Sequence, residues 1–250
     1  MKKLIIANWK MNPVFFKEAR NLFLGIKKLK NEKNTEVVVC PPFIFIQELK
    51  LLGAGLKTGA QNCFWEEKGA FTGEISFNML KAMGVEYIIL GHSERRKHFG
   101  ETDGLINKKI KAVLEKGLNP ILCVGETEKE RKIGIAKKVI KNQLFKGLEG
   151  IKNWKFKIKN LSVAYEPVWA IGTGNPCMPK DAKEIFVFIQ KNLKEKYGKE
   201  TVKKIRIIYG GSVNGENARG YIKESGMQGL LVGGASLSQK EFIKIVKNIQ

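Results

Sequence analysis

The stretch Ala164-Tyr165-Glu166-Pro167-Val168-Trp169-Ala170-Ile171-Gly172-Thr173-Gly174 sets one carboxylate at the end of an apolar run, then a greasy, glycine-rich loop. Proline disfavours helical backbone for the residue before it, so Glu166 is expected to sit extended at a strand terminus. Trp169 and Ile171 make the loop too apolar to prefer water, so it is expected to fold down as a lid. A base at a strand end beneath a closing lid suits chemistry that must exclude water. The alternative is an ordinary strand-to-helix connection. The other polar groups bear on that choice: Asn8-Trp9-Lys10, Gln61-Asn62, His92-Ser93-Glu94, Tyr209-Gly210-Gly211-Ser212 and Gly233-Gly234.

Each of these groups follows a short β-branched or apolar run. The runs are Lys3–Ala7, Glu36–Cys40, Lys57–Ala60, Tyr87–Leu90, Pro120–Val124, Leu161–Tyr165, Ile205–Tyr209 and Gly229–Val232. Most are apolar throughout, as parallel strands covered on both faces are. Between them the spacing is helical, with one stripe from Phe16, Ala19, Phe23, Ile26 and Leu29 and another from Ile106, Ile110, Val113 and Leu114. Ser238-Gln239-Lys240-Glu241 has the form of a capping box. Strand–helix alternation without a linker predicts one (β/α)8 barrel domain over residues 1–250. The polar groups would then share its C-terminal mouth, where such barrels build their sites. A doubly wound open sheet is the alternative, but no G-x-G-x-x-G follows the first run.

Composition narrows the function classes. With 250 residues, 43% of them hydrophobic, the chain can fill one barrel or two smaller domains. No apolar run reaches the length of a membrane span, so no membrane partner is expected. Met1 to Ala7 resembles the start of a signal peptide, but Asn8 and Lys10 cut it short, which favours a first strand. Cys40, Cys63, Cys123 and Cys177 show neither C-x-x-C pairing nor metal-ligand spacing, which suggests reduced thiols and a cytoplasmic protein. The formal charge is +21 and only six residues are arginine. Such a field could attract phosphorylated metabolites, nucleic acid or anionic membrane. The lysines, however, are spread over nearly every helical segment as solvated faces, so no specific nucleic-acid partner is expected.

The chain closely resembles the triosephosphate isomerase family. The resemblance rests on Asn8-Trp9-Lys10-Met11-Asn12, Gly59-Ala60-Gln61-Asn62, Gly69 to Glu74, Gly91-His92-Ser93-Glu94-Arg95-Arg96, Ala164 to Gly174, Tyr209 to Val213 and Leu231 to Leu237. It implies interconversion of dihydroxyacetone phosphate and D-glyceraldehyde 3-phosphate through an enediol(ate), in glycolysis and gluconeogenesis, with no metal or organic cofactor. It casts Glu166 as the base, His92 as the electrophile, Lys10 as the cation beside substrate, Asn8 as its hydrogen-bonding neighbour and Glu94 as a supporting carboxylate. Trp9 lies within the same binding segment. Gly172, Ser212, Gly233 and Gly234 match the phosphate-holding positions, and Ile171 and Leu231 the apolar clamp over the base. The family also implies a homodimer through the loop 63–74, with Thr72 near Asn8 and Lys10 of the partner subunit.

The chemistry accounts for these residue types. A carbon acid beside a carbonyl is weak, so a base and a donor to the developing oxyanion must act together. Burial beneath apolar groups makes a carboxylate a stronger base. Glycines let backbone amides approach phosphate without a Cβ in the way. His98 lacks the Gly-His-Ser-Glu setting and reads as surface, and Cys123 has no histidine partner in its motif. Glu74 and Arg95 are expected to form a salt bridge, and Glu126 and Arg131 to be structural. Two other readings compete: a different phosphate-binding barrel enzyme, such as an indole-making synthase or an aldolase, the latter needing a Schiff-base lysine or a metal cluster, and a polycation that binds nucleic acid without sequence preference. One departure stands out. After Gly174 the family usually reads Lys-Thr-Ala-Thr/Ser-Pro, whereas this chain has Asn175-Pro176-Cys177-Met178-Pro179. Pro176 fixes a φ angle and removes an amide in the lid's second hinge, so lid opening is expected to differ in rate from that of relatives.

Overall fold

The computed structural model describes residues 1–53, 55–152, 158–172 and 176–250, so Thr173, Gly174 and Asn175 of the lid lie outside the described residues. The strands are β1 (Lys3–Asn8), β2 (Thr35–Cys40), β3 (Lys57–Ala60), β4 (Tyr87–Leu90), β5 (Asn119–Val124), β6 (Ser162–Tyr165), β7 (Arg206–Tyr209) and β8 (Gly229–Val232). They pair in sequence order, all parallel, and β8 closes onto β1 with Leu4 opposite Gly229 and Ala7 opposite Val232. This is the (β/α)8 barrel expected from the alternation of runs. Gly229 is required at the closing seam, because a Cβ there would lie 2.0 Å from the Leu4 carbonyl oxygen.

The helices are α1 (Phe16–Gly25), α2 (Phe43–Leu51), α3 (Phe77–Ala82), α4 (Ser93–Phe99), α5 (Asp103–Glu115) and α6 (Glu128–Lys132). They continue with α7 (Ala136–Gly147), α8 (Pro179–Tyr197), α9 (Lys199–Val202), α10 (Ala218–Lys223) and α11 (Gln239–Asn248). The period of 2 along each strand sorts its side chains into two cores. Leu4, Ile6, Val38, Ile89, Ile121, Ala164, Ile208 and Leu231 fill the barrel interior. Ile5, Ala7, Val37, Val39, Val163 and Ile207 face the helix layer, where they meet the two stripes read from the sequence. The first stripe bends: α1 stops at Gly25, and a 3₁₀ turn, Lys27–Asn31, carries Leu29 into the core.

The box expected at Ser238 is half made. Ser238 accepts the Glu241 amide at 3.3 Å, but the Glu241 carboxylate accepts the Gly215 amide at 2.6 Å instead of turning back. It thereby braces the loop after β7. The full reciprocal box occurs at Thr127 and Glu130, at the start of α6.

At the floor of the barrel, Glu36 of β2 is clamped from three strands. Its Oε1 accepts from Tyr87 Oη and Lys57 Nζ, both at 2.8 Å, and its Oε2 from Arg206 Nη1 at 2.5 Å. Burial alone would raise this carboxyl, but the bonds from Lys57, Arg206 and Tyr87 hold it at about 2.

Candidate active site

At the opposite end, the strand termini surround a cleft of about 370 Å³. Asn8, Lys10, His92, Ile171, Gly172, Ser212, Leu231, Gly233 and Gly234 all line it. These come from the ends of β1, β4, β7 and β8 and from the loop after β6, which the sequence scatters over more than two hundred positions.

Lys10 leaves β1 with φ +53, a left-handed conformation that costs a non-glycine residue about 1–3 kcal/mol. Two side chains hold it there: Asn8 Oδ1 accepts its amide at 3.1 Å, and Gln61 Nε2 donates to its carbonyl at 2.7 Å. The ammonium meets Glu94 Oε1 at 2.5 Å, and its side chain passes over Gly233, where a Cβ would come within 3.3 Å of Lys10 Cε. Burial by itself would raise the Glu94 carboxyl, but the bond from Lys10 carries it below the ordinary range. Gln61 is thus a site residue whose role the sequence did not disclose, since only the fold brings it to the Lys10 carbonyl.

His92 caps α4. Its Nδ1 accepts the Glu94 amide at 3.3 Å, so Nδ1 carries no proton and the N–H of a neutral ring sits at Nε2. Nε2 lies 3.4 Å from Glu166 Oε1. A helix N-terminus disfavours an imidazolium in the capping position.

Glu166 follows β6 as expected, but its side chain does not line the cleft. It is 1% exposed, with Oε2 accepting the Ser93 amide at 2.9 Å and Oε1 without a hydrogen bond. Leaving an oxygen of a buried carboxylate unpaired is costly, and such debts gather where function needs them. Gly210 gives this side chain room, because a Cβ there would stand 3.0 Å from Glu166 Cγ and 3.6 Å from Leu231 Cδ2. The Leu231 side chain borders the same space. The Cys123 thiol is held well above its ordinary value, by burial first and by the Glu166 carboxylate second, which suits a packed group and not a nucleophile.

The loop after β6 is tied down at two points. Trp169 Nε1 donates to Glu126 Oε1 at 2.8 Å, and Tyr165 Oη donates to the same oxygen at 3.2 Å. Arg131 lies 4.4 Å from the Trp169 ring centroid and pairs with Asp181 at 3.0 Å. Further on, Ser212 Oγ donates to the Ala170 carbonyl at 2.7 Å and accepts the Gly172 amide at 3.4 Å. Glu126 and Arg131 are structural in that sense, and what they support is the loop after β6.

Gly233 leads into a 3₁₀ turn, Gly234–Leu237, and the space where a Gly234 Cβ would stand is open. Ser236 fastens this turn by donating to the Gly233 carbonyl at 2.7 Å. Trp9 borders the cleft, yet it is fully buried and packs in the outer core, so its indole supports the site from behind. Arg95 pairs with Glu101 at 3.4 Å and not with Glu74, which is exposed. Glu101 is nearer because it lies just past α4, and it also holds the buried Lys109. His98 ends exposed on α4. Among the described residues, no three His, Cys, Asp or Glu side chains gather as a metal site, and no helix is long and apolar enough to cross a membrane.

A family model described as triosephosphate isomerase matches residues 3–249. The triosephosphate isomerase of Aquifex aeolicus is 48% identical over 248 residues, covering 98% of this chain and 99% of its own. That of Carboxydothermus hydrogenoformans is 49% identical over 248 residues, 98% of either chain. That of Alkaliphilus oremlandii is 48% identical over 249 residues, covering 98% of this chain and 99% of its own. With the barrel and this cleft, a match from end to end leaves one assignment: the chain belongs to the triosephosphate isomerase family.

Proposed function

We propose that the protein interconverts dihydroxyacetone phosphate and D-glyceraldehyde 3-phosphate, the isomerisation of glycolysis and gluconeogenesis, and that Glu166 and His92 move the protons. One observation carries the reading: an imidazole whose Nδ1 accepts a backbone amide and a buried, underbonded carboxylate stand 3.4 Å apart behind a cleft lined by Gly233 and Gly234. The family is itself the standard example of this pairing of a carboxylate base with a neutral histidine.

Glu166 leaves the Ser93 amide, turns into the space above Gly210 and takes a proton from C1 of dihydroxyacetone phosphate. The electron pair moves onto the carbonyl oxygen, where His92 Nε2–H and Lys10 meet the growing charge. His92 passes its proton to that oxygen and receives one from the neighbouring hydroxyl. Glu166 then returns a proton to C2, which completes the aldehyde. Lys10 also offsets the phosphate charge, and the amides of Gly172, Ser212, Gly233 and Gly234 seat it. The phosphate does not react, so its binding energy serves to bring Ile171 and the lid down over Leu231 and the base. Excluding water strengthens each of these contacts and protects the intermediate.

The working form is a homodimer. The loops and first helices that follow β1 to β4 expose Met11, Val14, Phe15, Ile44, Phe71, Met79 and Phe99, apolar side chains that a partner subunit would cover. In the loop 63–74, Phe64 stacks on Trp65 at 3.9 Å and meets Phe71 at 4.5 Å, which gives it a rigid aromatic tip. That tip would enter the neighbour and bring Thr72 to Asn8 and Lys10 of the partner subunit. Four unpaired, buried cysteines suit the cytoplasm. A coupled assay on purified protein with glyceraldehyde 3-phosphate tests the activity. Rapid formation of dihydroxyacetone phosphate without added metal is expected, and absence of turnover from a folded dimer would sink the proposal.

A further inference from the structure

The lid's second hinge is held by a residue outside the family motifs quoted above. Cys177 is completely buried between exposed Pro176 and Met178, so it plugs the hinge into the core just before α8 begins at Pro179. Burial pushes its thiol up to about 12, so the side chain stays neutral and inert. Its carbonyl accepts a hydrogen bond of 2.6 Å from Tyr221 Oη, from α10. Tyr221 stacks face to face on Tyr209, with centroids 3.7 Å apart and planes at 14°. Tyr209 meets Tyr165 edge-on at 6.4 Å, and Tyr165 donates to Glu126, which also holds Trp169 at the first hinge. Three buried tyrosines thus run from one hinge of the lid to the other. The middle one immediately precedes Gly210-Gly211-Ser212, part of the proposed phosphate seat. α10 cannot drift from this position easily, because Gly220 packs so near α8 that a Cβ would meet Pro179 Cγ at 3.0 Å.

We propose that Tyr221 is a positioning residue for the isomerisation: its hydroxyl pins the Cys177 carbonyl, and its ring ties the lid's second hinge to the strand that carries the phosphate seat. The inference rests on the lid reading given under Proposed function. A hydroxyl–carbonyl bond in a dry setting fixes the hinge that must pivot when phosphate draws the lid down. Removing it leaves the base, the histidine and the lysine untouched. The loss should therefore appear only where lid closure is used.

Tyr221→Phe deletes the hydroxyl and keeps the stacked ring. With glyceraldehyde 3-phosphate, kcat/KM is expected to fall about fivefold, with kcat and KM both altered. With phosphate-free glyceraldehyde, which gives the lid nothing to hold, the slow turnover is expected to be unchanged. Relaxation dispersion of the Trp169 indole N–H, at the other hinge, should show altered exchange. Tyr221→Leu, which also removes the ring, should extend the same selective loss. An equal loss on both substrates, or none on either, would overturn the proposal while leaving the isomerase reading intact. Failure of the wild-type protein to turn over the phosphorylated substrate would instead defeat that reading.

Discussion

The floor and the mouth of the barrel are built from the same strands and treat charge in opposite ways. At the floor, both oxygens of Glu36 are bonded, by Tyr87, Lys57 and Arg206. At the mouth, Glu166 is the more deeply buried of the two carboxylates, yet it holds one backbone amide and leaves Oε1 without a hydrogen bond. A satisfied carboxylate is inert and adds to stability; an unsatisfied one is available to react, at a cost borne by the rest of the fold. Glu101 and Glu126 are also buried with one oxygen unbonded, but each has a cation on its other oxygen. What sets Glu166 apart is therefore the absence of a cationic partner together with its place beside His92 at the mouth.

The contrast breaks most sharply at Glu166. Glu166→Gln keeps the shape and removes the base, so kcat should fall by roughly 10²–10⁴-fold. Thermal stability should hold or rise, because a buried charge has gone. Steady-state kinetics beside a melting curve separates the two effects, and a stable variant with full activity would move the base elsewhere.

Arg206→Met is the complementary change at the floor. It strands Glu36 without its charge partner on Oε2. The pair is neither exposed nor fully dry, so the cost should be about 2 kcal/mol, or about 4–8 °C in Tm. kcat should stay within about twofold, since the cleft lies at the other end of the strands. A large fall in kcat with unchanged Tm would erase the division between floor and mouth.

Acid sharpens the same division. Glu36 has a folded value of about 2, below the ordinary 4.5 of an unfolded chain. The stability it contributes is fully present above about 4.5 and drains away as pH falls towards 2. Arg206→Met should flatten that part of the stability–pH curve, as denaturant titrations at pH 5, 4 and 3 would show; an unchanged slope would remove Glu36 from the account.

The smallest expected effect is at the lid. Pro176→Thr restores an amide in the hinge and should change the rate of loop exchange measured by relaxation dispersion, with little change in the chemical step. Unaltered exchange would show that Pro176 does not set lid motion.

Much of the mouth was legible because its residues come as short local words placed directly behind apolar runs. His92-Ser93-Glu94 is one such word, although the histidine's role as the cap of α4 shows only in three dimensions. The strands were legible to within a residue or so, as period and turn chemistry decide them locally. What stayed hidden depends on partners far apart in the chain. The turn of the Glu166 side chain is set by an amide 73 positions away, and the floor cluster joins Glu36 to Arg206 across 170. Arg95 chose Glu101 over Glu74, and Glu241 chose Gly215 over its own helix cap, because a nearer or unsatisfied partner was supplied by the fold. The position of Gln61 was legible but its role was not, and Tyr221 carries no local signature, since each bonds a backbone carbonyl that only the barrel brings to it.

The central claim is that the mouth moves a proton through Glu166 and an enediolate. The most direct test is isomerisation of glyceraldehyde 3-phosphate in D₂O, with the dihydroxyacetone phosphate read by NMR. A carboxylate that holds the proton between two carbons exchanges it with solvent, so deuterium should appear at C1 of the product. Product formed at full rate with no deuterium at C1 would mean that hydrogen never left the substrate as an exchangeable proton, and would contradict the account.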